Sequence, residues 1–260
     1  MDLKEKIMKR VRAHYEKMYD NFGNKLVGVF LIGSQNYELD IETSDVDTIA
    51  VVMPSISEIT FLSPPYSTTI VLENGEHIVV KDLRLVRYEL HKGSPNMLEI
   101  LFTDYYVLNP NWWEFSKLIA HRERIAKISP NGVANAWMGI ARRHIKKYQE
   151  DIENFDIKDA ITILRIAEFI KLYYYGSATY KEALVPSYAG ALRAARRNHS
   201  DVKLLFYNVD LAIETIENFN KDKIKEISFG GCVTLDNVTL ELITDSFERG
   251  RYNESKGVLL

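Results

Sequence analysis

The sequence predicts an α+β fold, in which a small mixed β-sheet flanked by helices is followed by an all-α half. Three observations predict it. Short β-branched and aliphatic blocks, the mark of buried strands, are confined to the first part of the chain. After Asp82 the apolar residues recur every three or four positions, the helical spacing. Ser129-Pro130 then offers a helix-start boundary, dividing the chain into residues 1–129 and 130–260 with only a short linker.

The elements follow in order. Leu3, Ile7, Val11, Tyr15, Met18 and Phe22 define one face of an amphipathic helix over residues 2–22, with a charged outer face. A continuous apolar run from Lys25 to Ile32 reads as a buried strand ending at Gly33, and a second from Val46 to Met53 is stopped by Pro54. Strands at Thr68–Leu72 and His77–Lys81 are joined through Asn74-Gly75, a strong hairpin turn signal. Leu83, Val86 and Leu90 begin a helix that Gly93-Ser94-Pro95 ends, and Asn96–Phe102 forms the next. Helices are expected near 111–128, 132–150, 158–175, 187–198, 201–222 and 238–248.

Composition limits the function classes. The 260 residues carry 33 Lys+Arg against 36 Asp+Glu, a formal net charge of −3, which excludes a generally basic nucleic-acid coat. With 46% hydrophobic and 27% charged residues, the chain has apolar mass for a core, and wholesale disorder is excluded. Cys232 is the single cysteine, so no intrachain disulfide, redox pair or Cys-His metal cluster is available. That usage suits a reducing cytoplasm. The first helix is too charged for a signal peptide and the longest strongly apolar run too short to span a bilayer, so no membrane partner is expected. The histidines show no metal-ligand spacing, and neither a phosphate loop with Gly-Lys-Ser/Thr nor a nucleophile elbow occurs.

The chemistry concentrates between Gly33 and Asp47. A buried strand leads into Gly33-Ser34, and about ten residues later Ser44-Asp45-Val46-Asp47 leads into another. Residues two apart in a strand project to one side, so Asp45 and Asp47 place two carboxylates together at the mouth of an apolar sheet. Such a pair repels itself unless a cation lies between, and hard oxygen ligands suit Mg²⁺ (or Mn²⁺), which completes its shell with water and substrate phosphates. A triphosphate is the natural co-ligand. Gly33 permits close backbone approach, and Ser34 offers a donor to phosphate oxygens.

This ordered set resembles the nucleotidyltransferase superfamily typified by DNA polymerase β, whose shared feature is Gly-Ser followed by Asp-x-Asp. The chain looks closer to a family of predicted nucleotidyltransferases of bacteria and phages, some in RNA-repair gene clusters, with Gly-Ser-x-x-Tyr before Ser-Asp-x-Asp-Thr. Here these are Gly33-Ser34-Gln35-Asn36-Tyr37 and Ser44-Asp45-Val46-Asp47-Thr48. Lys81-Asp82-Leu83-Arg84, Gly93-Ser94-Pro95-Asn96, Leu98-Glu99 and Leu164-Arg165 extend the resemblance over roughly residues 25–175. Glu38 and Ser94 stand where members often have Gly and Asn.

The resemblance implies a nucleotidyltransferase domain over 1–129 and a helical substrate-binding domain over 130–260. It implies transfer of a nucleoside monophosphate to an acceptor hydroxyl, with RNA 3′ ends favoured, a protein hydroxyl next and small molecules such as aminoglycosides third. An antitoxin-like protein modifier and a catalytically silent nucleotide-binding module are the competing readings. It points to Asp82 as a third carboxylate holding two metal ions with Asp45 and Asp47, although Asp82 also reads as a helix N-cap. Glu76 is the reserve, and its place beside the turn predicts exposure. Arg165, a charge inside an apolar helix, needs either an internal carboxylate such as Glu168 or a bound phosphate, and phosphate is the reading adopted. Arg142, Arg143, Lys146 and Lys147 read as a solvated face, Arg196-Arg197-Asn198-His199 as a helix end that either complements the helix dipole or contacts an acceptor polyanion, and Trp112-Trp113 and Tyr173-Tyr174-Tyr175 as core or interface.

Overall fold

The computed structural model describes residues 3–152, 155–198, 202–220, 224 and 229–255. Helix α1 (Leu3–Phe22) is followed by β1 (Leu26–Ile32), β2 (Asp47–Val52), α2 (Ile56–Thr60), β3 (Ser67–Val71), β4 (His77–Asp82), α3 (Leu83–His91), α4 (Pro95–Phe102) and β5 (Tyr106–Leu108). The rest is helical: α5 (Phe115–Ala120), α6 (Arg122–Ala126), α7 (Pro130–Glu150), α8 (Ile157–Phe169), α9 (Tyr180–Leu184), α10 (Ala189–Asn198), α11 (Val202–Glu217) and α12 (Phe229–Ser255). The mixed α/β architecture is the one expected, with one more strand.

The five strands lie in the order β3-β4-β2-β1-β5. β2 and β4 are parallel, with Thr48 opposite Ile78 and Val52 opposite Asp82, and every other pairing is antiparallel. In β1 against β2, Ile32 lies opposite Asp47. Side-chain alternation divides the sheet into two apolar faces. Ile7, Val11 and Met18 of α1 cover Val29, Leu31, Ala50, Val52, Ile78 and Val80. The opposite face, with Phe30, Ile49 and Val51, enters a larger core shared with α3, α4 and the C-terminal helices as far as Leu242. That core crosses Ser129-Pro130 unbroken.

Close backbone contact marks the same place. Gly93, at φ +72°, has no room for a Cβ, which would lie 2.7 Å from Val133 N and 2.8 Å from Ser129 O. Across the contact, a Cβ on Gly132 would lie 2.1 Å from Lys92 O. Two glycines thus let the α3–α4 turn sit directly on the start of α7. The aromatic residues close the interior: Trp112 is buried with Nε1 donating to Asn24 O, and Tyr173 and Tyr174 pack with Phe169 in the π-turn Ile170–Tyr175 that extends α8. Trp113 and Tyr175 are exposed.

Candidate active site at the mouth of strands 1 and 2

Gly33 leaves β1 at φ +104°, a conformation that L side chains rarely adopt, and opens a 3₁₀ turn over Ser34–Tyr37. The turn ends at Glu38, also left-handed at φ +56°. Glycine is the residue for which that conformation is free of strain. The chain returns through Ile41–Ser44, where Ser44 Oγ accepts the Ile41 N–H at 2.9 Å, and reaches Asp45 and Asp47. Gln35 Nε2 donates to Asp45 O at 2.6 Å, tying the turn to the aspartate loop. The register that sets Ile32 beside Asp47 brings Gly33, Ser34, Asp45 and Asp47 into one neighbourhood.

The two aspartates differ in setting. Asp45 lies in the coil before β2, outside the strand that the alternation argument assumed, and is exposed. It makes no side-chain hydrogen bond or ion pair among the described residues. Asp47 begins β2 with its side chain 42% exposed. Its Oδ1 accepts the His77 N–H at 2.9 Å, with the His77 ring Nδ1 3.3 Å away. No lysine or arginine neutralises either carboxylate among the described residues, so both offer oxygens to a hydrated cation.

Asp82 does not join them. It lies opposite Val52, five residues along the parallel pair from Asp47, about 17 Å at roughly 3.3 Å per residue. It also shares the parity of Ile78 and Val80, which face α1, whereas Asp47 shares that of Ile49 and Val51. Asp82 is buried, accepts the Arg84 N–H at 2.8 Å as the N-cap of α3, and holds the Arg84 guanidinium at 2.6 Å. Of its two sequence readings, the cap is the one its contacts fulfil. The expected three-carboxylate cluster is not assembled among the described residues.

Glu76 is buried rather than exposed, at 1%. Its Oε1 accepts the N–H of Val46, the residue between the two aspartates, at 2.7 Å, and pairs with Arg10. Its Oε2 accepts from Asn74 Nδ2 at 2.8 Å and lies 3.1 Å from His14 Nε2, while His14 Nδ1 lies 2.9 Å from Thr48 Oγ1. Burial raises the Glu76 carboxyl, but the donors from Asn74, Val46, His14 and Arg10 outweigh it and hold it below the ordinary glutamate range. His14 is lowered by its own burial, against the pull of Glu76. The carboxylate is therefore an anchor for the aspartate loop on the α1 face, with its acceptor positions filled.

Arg165 is 9% exposed, with its guanidinium 4.0 Å from the Tyr37 ring centroid and 4.8 Å from that of Trp137. Glu168 is not its partner, since that carboxylate accepts from Ser187 N at 3.0 Å. The carboxylate that feels Arg165 is Glu99, buried at 2% beneath the turn. Arg193 and Arg196 donate to the carbonyls of Glu38 and Leu39 at 3.0 and 2.7 Å, and Arg197 pairs with Glu42 at 2.6 Å. Arg196 and Arg197, read as complementing the helix dipole or meeting a polyanion, thus grip the loop before Asp45; His199 lies outside the described residues. Arg142, Arg143, Lys146 and Lys147 are a solvated face.

No protein-family model matches the chain, and no curated protein matches it. Among solved structures, it is similar to a nucleotidyltransferase-like protein from Exiguobacterium sibiricum 255-15, with a TM-score of 0.30 and 9% identity over 96% of this chain and 92% of that one. At that TM-score the likeness fixes neither family nor activity. Among the described residues, no helix is long and apolar enough to cross a membrane.

Proposed function

We propose that the protein is a nucleotidyltransferase that transfers a nucleoside monophosphate from a nucleoside triphosphate to an acceptor hydroxyl and releases pyrophosphate. The observation that supports it best is the placement of two accessible carboxylates, Asp45 and Asp47, beside the glycine-opened turn that carries Ser34. Mg²⁺ would be held by Asp45 and Asp47 together with phosphate oxygens, supplying charge neutralisation to the triphosphate. Ser34 would donate to a phosphate oxygen and orient the chain of phosphates. The acceptor hydroxyl would give up its proton to solvent and its oxygen attack the α-phosphorus in line, forming one P–O bond as the α-phosphorus bond to the bridging oxygen breaks and pyrophosphate leaves with that oxygen. Asp82, engaged as the cap of α3, is left out of this reading, which uses two carboxylates rather than three.

The acceptor we favour is an RNA 3′ hydroxyl. With Arg196 and Arg197 engaged on the protein's own loop, an acceptor RNA would be held at its end rather than along an extended basic track. Incubation with each α-labelled nucleoside triphosphate and Mg²⁺, alongside RNA or protein extract, tests both levels. Label is expected in RNA; label in a protein band would replace the acceptor. Asp45→Ala and Asp47→Ala are each expected to lower transfer at least about 100-fold with the fold retained. Undiminished transfer by both variants would remove the reading.

A further inference from the structure

We propose that Glu99 is a positioning residue for the Gly33-Ser34 turn, and that Arg165 acts on this turn through Glu99 rather than by touching phosphate. The inference rests on the nucleotidyltransferase reading and assigns the part of the helical half in it.

A single carboxylate holds the turn from beneath. Glu99, on α4, receives the Gly33 N–H on Oε1 at 2.6 Å and the Asn36 Nδ2 on the same oxygen at 2.8 Å, and its Oε2 receives the Tyr37 hydroxyl. Asn36 is itself fixed, donating to Leu31 O at 3.0 Å and accepting the Thr103 hydroxyl at 2.7 Å. Gly33, which opens the turn, and Asn36 and Tyr37, which end it, are therefore each tied directly to Glu99. Gly33 has no side chain to fix its own path at φ +104°, so the N–H bond to Glu99 is what specifies how the strand opens toward Ser34.

Holding a carboxylate at 2% exposure demands donors and a counter-charge. Burial raises the Glu99 carboxyl above the ordinary glutamate range, while the bonds from Tyr37, Asn36 and Gly33 and the charge of Arg165 pull it back. Arg165 comes from α8 and is sandwiched by Tyr37 and by Trp137 of α7, so its cation meets Glu99 across the Tyr37 ring and hydroxyl. No carboxylate lies within ion-pair distance of Arg165 among the described residues. The charge from the helical half thus sustains the carboxylate that shapes the phosphate-binding turn. Both Glu99 oxygens are engaged by backbone and side-chain donors of the turn.

A double-mutant cycle on nucleotide binding separates action through Glu99 from direct contact. Glu99→Gln and Arg165→Met are made singly and together in the full chain, with Tyr37→Phe removing only the hydroxyl between them. KM for the nucleoside triphosphate and kcat are measured, with the Kd by calorimetry. Arg165→Met is expected to raise KM and Kd about tenfold with kcat within about threefold, but to change them less than about twofold in the Glu99→Gln background. Tyr37→Phe is expected to shift KM in the same direction. An equal loss in both backgrounds would place Arg165 on the phosphate and overturn the proposal, while Asp45-dependent transfer would still stand. Unchanged affinity in every variant would make the network structural only and also overturn it. If Arg165→Met does not fold, Arg165→Lys and Tyr37→Phe complete the cycle with the same criteria. A wild-type chain that neither binds nucleotide nor transfers label overturns both readings.

Discussion

An aspartate that ends a strand and starts a helix can serve metal or backbone, and its sequence neighbours do not separate the two. Contacts do so for Asp82, which caps α3 and holds Arg84 at 1% exposure, far along β4 from Asp47. Asp82→Ala removes the cap and, among the described residues, leaves the guanidinium with the carbonyls of Glu58 and Ser63. The expected cost is about 2 kcal/mol or more of stability, with kcat/KM for transfer near the wild-type value. Denaturant unfolding beside a transfer assay reads both, and an inactive variant of unchanged stability would return Asp82 to the chemistry. Glu76 shows the opposite confusion. Its place after Asn74-Gly75 predicts exposure because turns lie at surfaces, but α1 folds across it, and Arg10 and His14 arrive from more than sixty positions away to bury it. Local sequence carries no trace of a partner so remote.

Elements with a strong period were legible, and those without one were not. The first helix, four of the strands and the Asn-Gly hairpin follow from three-to-four or continuous apolar patterning and lie within a few residues of expectation. β5 escaped because three residues are too few to show alternation, and its pairing with β1 supplies what its own sequence lacks. The short helices α2 and α9 each begin with a capping box, Ser55 with Glu58 and Thr179 with Glu182, which was the signal available. Gly93 was legible as a helix stop, but its second duty, direct contact with α7, required the fold. Gly93→Ala therefore combines a positive φ with a clash against backbone, and a loss of more than about 2 kcal/mol is expected by denaturant unfolding. Gly139, with nothing near its missing Cβ, is the control: Gly139→Ala is expected to stabilise α7 by about 0.5–1 kcal/mol. Equal effects at the two glycines would deny the close approach.

At the scale of the molecule, the site belongs to both halves. The Gly-Ser turn is braced by Glu99 and, through it, by Arg165 of α8; the loop before Asp45 is held by Arg193, Arg196 and Arg197 of α10. The last helix returns to the first half, where Asp236 of α12 pairs with Arg87 and His91, and Glu241 pairs with Lys117. Exposed pairs of this kind, made to α3 and α5, add little stability. The coupling itself comes from the apolar core, which runs from Phe30 and Ile49 through Met97 and Trp137 to Leu242 and encloses the buried Glu99 and Arg165. Two halves that share one core should unfold as one unit. The tryptophans allow this to be read separately: Trp112 is buried in the first half and Trp137 in the second. In a variant keeping only Trp112 and in one keeping only Trp137, with phenylalanine at the other positions, the fluorescence midpoint in denaturant is expected to agree with that same variant's far-UV circular-dichroism midpoint within about 0.2 M. Separate midpoints would mean that residues 1–129 and 130–260 fold independently, and that the contacts from Arg165 and α10 reach the site across an interface able to open. A shared midpoint would mean that the turn and the aspartate loop keep their geometry only while the whole core is intact.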